Sequence, residues 1–130
     1  MGAVQAVTGA LIWLTWPRKN NVGFRELLKR LLTRHEGQAQ QVVVVADNYR
    51  IHKAKAVQQM LVKVRTQLRI WFLPTYSPHL NPIERVWRHC RRTVTDNTFF
   101  KTMKRLLKAM TDFLTELATM PASVRSIIAA

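Results

Sequence analysis

From Met1 to Trp16 the apolar residues come in two short runs. Gly2-Ala-Val-Gln-Ala-Val7 and Ala10-Leu-Ile-Trp-Leu14 flank Thr8-Gly9, which predicts a β-hairpin with a short loop. Pro17 to Val22 is polar and ends that pattern. Between Gly23 and His35, Phe24, Leu27, Leu28, Leu31 and Leu32 recur at helical spacing, backed by Arg25, Lys29, Arg30 and Arg34. This is an amphipathic helix, and Gly37 is placed to stop it. Val42-Val-Val-Val-Ala46 is a β-branched run without alternation, the pattern of a central strand covered on both faces of a parallel sheet. It ends in Asp47-Asn48. A helix is expected from Ile51 to Arg65, with Ala54, Val57, Leu61 and Val64 on one face, and a second strand from Leu68 to Leu73, closed by Pro74.

The loop Thr75 to Pro82 is stiffened by Pro78 and Pro82. A helix start follows: Asn81 can cap, Pro82 suits the first helical position, and Glu84 sits where a capping-box carboxylate belongs. Ile83, Val86, Trp87, Cys90 and Val94 form its apolar stripe. A last helix is predicted over Thr98 to Thr119, its stripe running from Phe99 and Met103 to Leu114 and Leu117. Trp71, Phe72 and Trp87 are assigned to the core. The order β-β-α-β-α-β-α-α makes this an α/β domain, and 130 residues suffice for one domain.

Charge changes the picture more than composition does. Lys and Arg number 21 against 7 Asp and Glu, for a net charge of +14. Such a balance points to a polyanionic partner, nucleic acid first and an anionic membrane second. With 48% hydrophobic residues in periodic arrangement, the chain is not disordered by composition. A single cysteine, Cys90, excludes an intramolecular disulfide and a Cys-rich zinc module. The apolar stretch Ala3 to Trp16 is too short and too interrupted to span a bilayer, and no basic segment precedes it as in a signal peptide. A cytoplasmic domain without membrane partners is the expectation.

Few residues are placed to carry chemistry. Asp47 ends a predicted strand, where open α/β sheets present their ligand sites; it can equally cap the turn that follows. Glu84 serves either a capping box or a site. If the strands before them are parallel neighbours, the two carboxylates converge at one sheet edge, and hard cations such as Mg²⁺ take oxygen ligands of this kind. His52 can orient a water or a phosphate, or simply support the helix start. Tyr76-Ser77-Pro78 is a substrate loop or a rigid joint. Arg88 and Arg91 stand one and two turns beyond Glu84, where cations would hold a phosphodiester backbone. Cys90 falls on an apolar face with no paired histidine, so it is a packing residue. No glycine-rich phosphate loop is present.

Two segments carry a resemblance. Asp47-Asn-Tyr-Arg-Ile-His52, followed by Leu73-Pro-Thr-Tyr-Ser-Pro-His-Leu-Asn-Pro-Ile-Glu84-Arg-Val-Trp87, resembles the DDE transposases of the mariner-like insertion-sequence group. The 36 residues between Asp47 and Glu84 suit that family's interval from second to third catalytic acid. The resemblance implies an RNase H-like mixed sheet flanked by helices, binding two divalent ions, Mg²⁺ or Mn²⁺. Asp47 and Glu84 would be catalytic and metal-binding. Asn48, His52, Tyr76, Ser77 and Asn81 would support them. Lys53, Lys55, Arg85, Arg88, Arg91 and Arg92 would hold double-stranded DNA. The implied chemistry is metal-dependent strand cleavage followed by strand transfer.

The sequence departs from this pattern in one respect that bears on activity. The family's first acid lies on a strand before the hairpin, yet no Asp or Glu precedes Glu26, which falls within an amphipathic helix. The expectation is a single, partial catalytic domain lacking its first strand and inactive alone. An upstream transposase segment or full-length transposase subunits would be its partners. The alternative is a non-enzymatic DNA-binding remnant or an inhibitor of the full-length enzyme.

Overall fold

The computed structural model describes residues 1–38, 40–96 and 98–129. These residues group into two units, one of Met1–Gly2 with Trp13–Asn81, the other of Ala3–Ile12 with Pro82–Ala130. The hairpin is shorter than its apolar runs suggest, with β1 at Gly2–Val4 and β2 at Leu11–Trp13. Its turn is closed by Gly9 N–H on the Gln5 carbonyl at 2.8 Å, with Gly9 at φ 78°.

In the first unit, α1 spans Asn21–Arg34. It starts two residues earlier than its stripe implies because the Asn20 side chain accepts the Gly23 N–H at 3.0 Å, an N-cap. Gly37, at φ 80°, follows the helix end in the left-handed conformation expected of a stop. β3 (Val42–Ala46) and β4 (Leu68–Phe72) pair in parallel, Val42 opposite Leu68 through Ala46 opposite Phe72. Between them the expected continuous helix is divided. A 3₁₀ turn at Arg50–Lys53 ends at Ala54, whose ψ of 147° is extended, and α2 then runs over Lys55–Lys63. Phe24, Leu27, Leu28, Leu31, Ala46, Val57 and Leu68 are buried in this unit.

Two expectations about the strands are corrected. β3 is not covered on both faces: Val43 and Val45 are 48% and 44% exposed, and Trp71 beside Val45 is 58% exposed. Phe72 is exposed as well. A run of β-branched residues therefore marks a strand here without marking two buried faces. Nor do the described strands form one mixed sheet; the hairpin and the β3–β4 pair are separate two-stranded sheets.

In the second unit, α3 spans Pro82–Cys90 and passes into a single π turn at Arg91–Thr95, where Asp96 N–H reaches the Arg91 carbonyl at 3.0 Å. The last predicted helix is shorter than expected. Thr102 accepts the Arg105 N–H and so starts α4, which covers Met103–Ala118. Phe99 and Met103, placed on its stripe, are exposed, whereas Leu114 and Leu117 are buried. A fifth helix, α5 at Pro121–Ala129, follows. Its Pro121 occupies a first helical position, where a missing N–H costs nothing. α3 packs on α4 and α5 around Ile83, Val86, Cys90, Val124 and Ile128. None of the helices among the described residues is long and apolar enough to cross a membrane.

Candidate active site

The first unit presents a cluster at the carboxyl end of its parallel strands. The Ala46 carbonyl accepts the Leu73 N–H at 2.8 Å, so the segments leaving β3 and β4 start side by side. Asp47 follows directly. Its Oδ1 lies 2.9 Å from His52 Nδ1 and accepts the Tyr49 N–H at 3.3 Å. His52 Nδ1 is also 3.1 Å from the Asp47 carbonyl oxygen. Both neighbours of that nitrogen are acceptors, so Nδ1 carries the proton and donates to Asp47. The 3₁₀ turn that divides the expected helix is what brings His52 back over Asp47.

His52 is held from its faces too. The Phe24 ring of α1 lies 4.2 Å from it, centroid to centroid, and Tyr49 meets it edge-on at 6.0 Å. Lys19 Nζ sits 4.4 Å from the Tyr49 ring centre, a cation–π contact. These contacts leave the His52 and Asp47 side chains 14% and 26% exposed. The acid is thus positioned yet open to solvent on part of its surface. Phe24 and Lys19 were not legible as site residues, since spacing assigns Phe24 to the α1 core and nothing local ties Lys19 to Tyr49.

Asn48 joins the two loops. Its Nδ2 donates to Thr75 Oγ1 at 3.1 Å, while its Oδ1 is buried without a protein partner. The next residue after Thr75, Tyr76, has φ 59° and is 95% exposed. It is the described non-glycine residue with positive φ, a conformation costing an L-residue about 1–2 kcal/mol. Ser77 Oγ donates to the Thr75 carbonyl at 3.4 Å, and a 3₁₀ turn at Pro78–Leu80 continues the loop.

Glu84 belongs to the second unit, in the first turn of α3, where a carboxylate is favoured by the helix dipole. Asn81 is extended at φ −84° and ψ 117°, and Pro82 opens the helix as its sequence suggests. Of the expected DNA-contacting cations, Arg88, Arg91 and Arg92 are exposed. Arg85 Nη1 instead donates to the Ile128 carbonyl at the end of α5. Lys55 is exposed, and Lys53 lies over the Phe72 ring, 4.8 Å from its centre. Burial raises the Cys90 thiol pKa, with Arg91 opposing in part, which suits a packing residue rather than a nucleophile.

A family comparison decides what this cluster belongs to. Residues 1–107 match the family described as DDE superfamily endonuclease. The chain belongs to that family. It is also 32% identical, over 120 residues, to an insertion element IS630 uncharacterized 39 kDa protein of Shigella sonnei, covering 92% of this chain. The chain spans about a third of that relative, 34% of its length. No solved structure matches. The resemblance read from the Asp47–His52 and Leu73–Trp87 segments is therefore correct at the level of the DDE superfamily.

DDE superfamily endonucleases typically use divalent metals. Among the described residues no three His, Cys, Asp or Glu side chains gather around one position. The end of β3 nevertheless offers oxygen donors of the right kind, the Asp47 carboxylate and the unpartnered Asn48 Oδ1. Mg²⁺ is commonly held by one or two carboxylates with several waters, so this donor set fits it.

Proposed function

We infer that these residues form part of a transposase catalytic domain with an RNase H-like fold, whose family activity is DNA strand cleavage and strand transfer. The observation that carries the reading is the family match over residues 1–107, with Asp47 held at a parallel-strand terminus by His52. Asp47 and Glu84 are the second and third members of the acid triad, and Asp47 with Asn48 oxygen holds Mg²⁺ or Mn²⁺. Divalent ions bound there supply Lewis acidity at the scissile phosphate and lower the pKa of water. His52 keeps the Asp47 carboxylate turned by donating Nδ1–H to it. Arg88, Arg91 and Arg92 bind the phosphodiester backbone of double-stranded DNA, a sequence-independent interaction suited to a chain of net charge +14. Glu26, the first acid of the sequence, falls within α1, so the first member of the triad is not assigned to a residue here.

The test uses Fe²⁺ in place of Mg²⁺, with ascorbate and peroxide, so that hydroxyl radicals cut the polypeptide beside the bound ion. Cuts near residue 47, abolished in Asp47→Asn, are expected. Fragments unrelated to that acid would overturn the assignment without any need for activity. The alternative of a non-enzymatic DNA-binding inhibitor predicts tight duplex binding with no such cuts.

A further inference from the structure

Tyr76 combines three properties that folding does not explain. Its backbone is in the left-handed region at φ 59°, where glycine or asparagine would sit more easily. Its ring is 95% exposed, so it buries almost nothing against the chain. Its position is nonetheless fixed. Pro74 and Pro78 bracket it, and the preceding residue, Thr75, is hydrogen-bonded to Asn48, the neighbour of Asp47. An aromatic side chain held out into solvent, on a stiff loop bonded to the segment bearing the proposed cutting acid, has given up freedom without gaining packing.

We propose that Tyr76 is a stacking platform for an unpaired DNA base beside the Asp47 carboxylate. The inference rests on the DNA-cleaving reading above and adds a ligand subsite to it. Aromatic rings on basic surfaces bind single strands by stacking, which tolerates any base because each has a π-face. A ring carried on a backbone that is fixed before binding needs less ordering when a base settles on it. The charge needed to bring the strand there is at hand: Lys19 and Arg50 lie on the same unit, Lys19 against Tyr49. A duplex has no free base face to offer, so the site selects DNA that is opened, nicked or frayed near the cleavage point.

The 130-residue chain is titrated with fluorescein-labelled oligothymidylate, and with a fully paired duplex of equal length, at one fixed salt concentration. Tyr76→Ala is expected to weaken single-strand binding by about 5- to 140-fold, the loss of one base stack. Its duplex affinity stays unchanged. Tyr76→Phe retains single-strand binding. Equal single-strand affinity in Tyr76→Ala and the parent chain would overturn the proposal, and so would equal loss in Tyr76→Phe, which would mean a hydroxyl contact instead. A second measurement needs no variant. An oligonucleotide carrying 5-iodouracil at an unpaired position is irradiated on the parent chain and the crosslinked peptide identified; attachment at Tyr76 supports stacking, and attachment only elsewhere refutes it. Neither readout requires Asp47 or Glu84, so failure of the Fe²⁺ cuts with retained stacking would sink the metal reading alone.

Discussion

Replacing Tyr76 by glycine should stabilise the fold, although it deletes an aromatic ring. The residue sits at φ 59° with its ring 95% exposed. Relief of left-handed strain is worth about 1–2 kcal/mol. Against it stands the extra freedom of glycine in the unfolded chain, about 0.4–1 kcal/mol. Almost no apolar area is returned to water, so the hydrophobic contribution is close to nil. The balance favours Tyr76→Gly by roughly 0.5–1 kcal/mol. For a chain between the small and medium size classes this raises Tm by about 2–4 °C. Differential scanning calorimetry of the parent, Tyr76→Gly and Tyr76→Ala separates the causes, since alanine removes the ring and keeps the strain. Alanine should leave Tm nearly where it was. A clear fall in Tm for Tyr76→Gly, or an equal rise for Tyr76→Ala, would show that the backbone at Tyr76 is not under strain.

Leu28, with no exposed surface, fills the α1 core; Leu28→Ala should cost about 2–5 kcal/mol, read as a lower urea midpoint. Gly9 has φ 78°, and a Cβ there would strike the Pro121 carbonyl oxygen at the start of α5. Gly9→Ala should therefore destabilise by more than about 1 kcal/mol in the same assay. Because burial raises the Cys90 pKa, the folded chain holds that proton to higher pH than the unfolded one. The associated stability is complete below the unfolded thiol's pKa of about 8.5 and declines as pH rises above it; Cys90→Ala should flatten the fall in urea midpoint between neutral and alkaline pH. Arg88→Ala with Arg91→Ala should reduce the salt slope of duplex binding by about one unit for each phosphate no longer neutralised, measured by anisotropy at several salt concentrations. Supercoiled plasmid incubated with the 130 residues and Mg²⁺ should remain unnicked, and the appearance of open circles abolished by Asp47→Ala would refute the incomplete-triad argument.

Local signals in the sequence predicted local structure well. Leu27, Leu28 and Leu31 place α1, and the proline at position 82 marks the α3 start. Failures occur where the outcome depends on what faces an element. Val43, Val45 and Trp71 have the composition of a doubly buried strand and stand exposed, because β-branching favours the extended backbone whether or not a second layer covers it. The periodic stripe through Ala54 and Val57 reads as one helix, yet Ala54 is extended at ψ 147° and divides the 3₁₀ turn from α2. The expected end of α4 is Thr119, and nothing is predicted beyond it, although Pro121 at a first helical position marks α5. Within the candidate site, Asp47 and His52 were legible from position. The Phe24 stack and the Asn48–Thr75 bond were not, since both join residues far apart in sequence.

The length of the Leu73–Glu84 motif has a physical account in the backbone it dictates. Leu73 N–H closes onto Ala46 and ends the parallel pairing. Pro74 supplies no donor that would extend the ladder. Thr75 Oγ1 accepts from Asn48 Nδ2, and Tyr76 turns the chain with φ 59°. Pro78 begins a 3₁₀ turn in which Leu80 and Asn81 N–H groups find the Ser77 and Pro78 carbonyls. Asn81 is extended, Pro82 opens α3, and Glu84 arrives in its first turn. Most of these residues thus commit a backbone angle or a hydrogen bond. Up to Asn81 the path is therefore set by backbone angles and hydrogen bonds of the first unit, and the exposed ring midway along it is held in place by them.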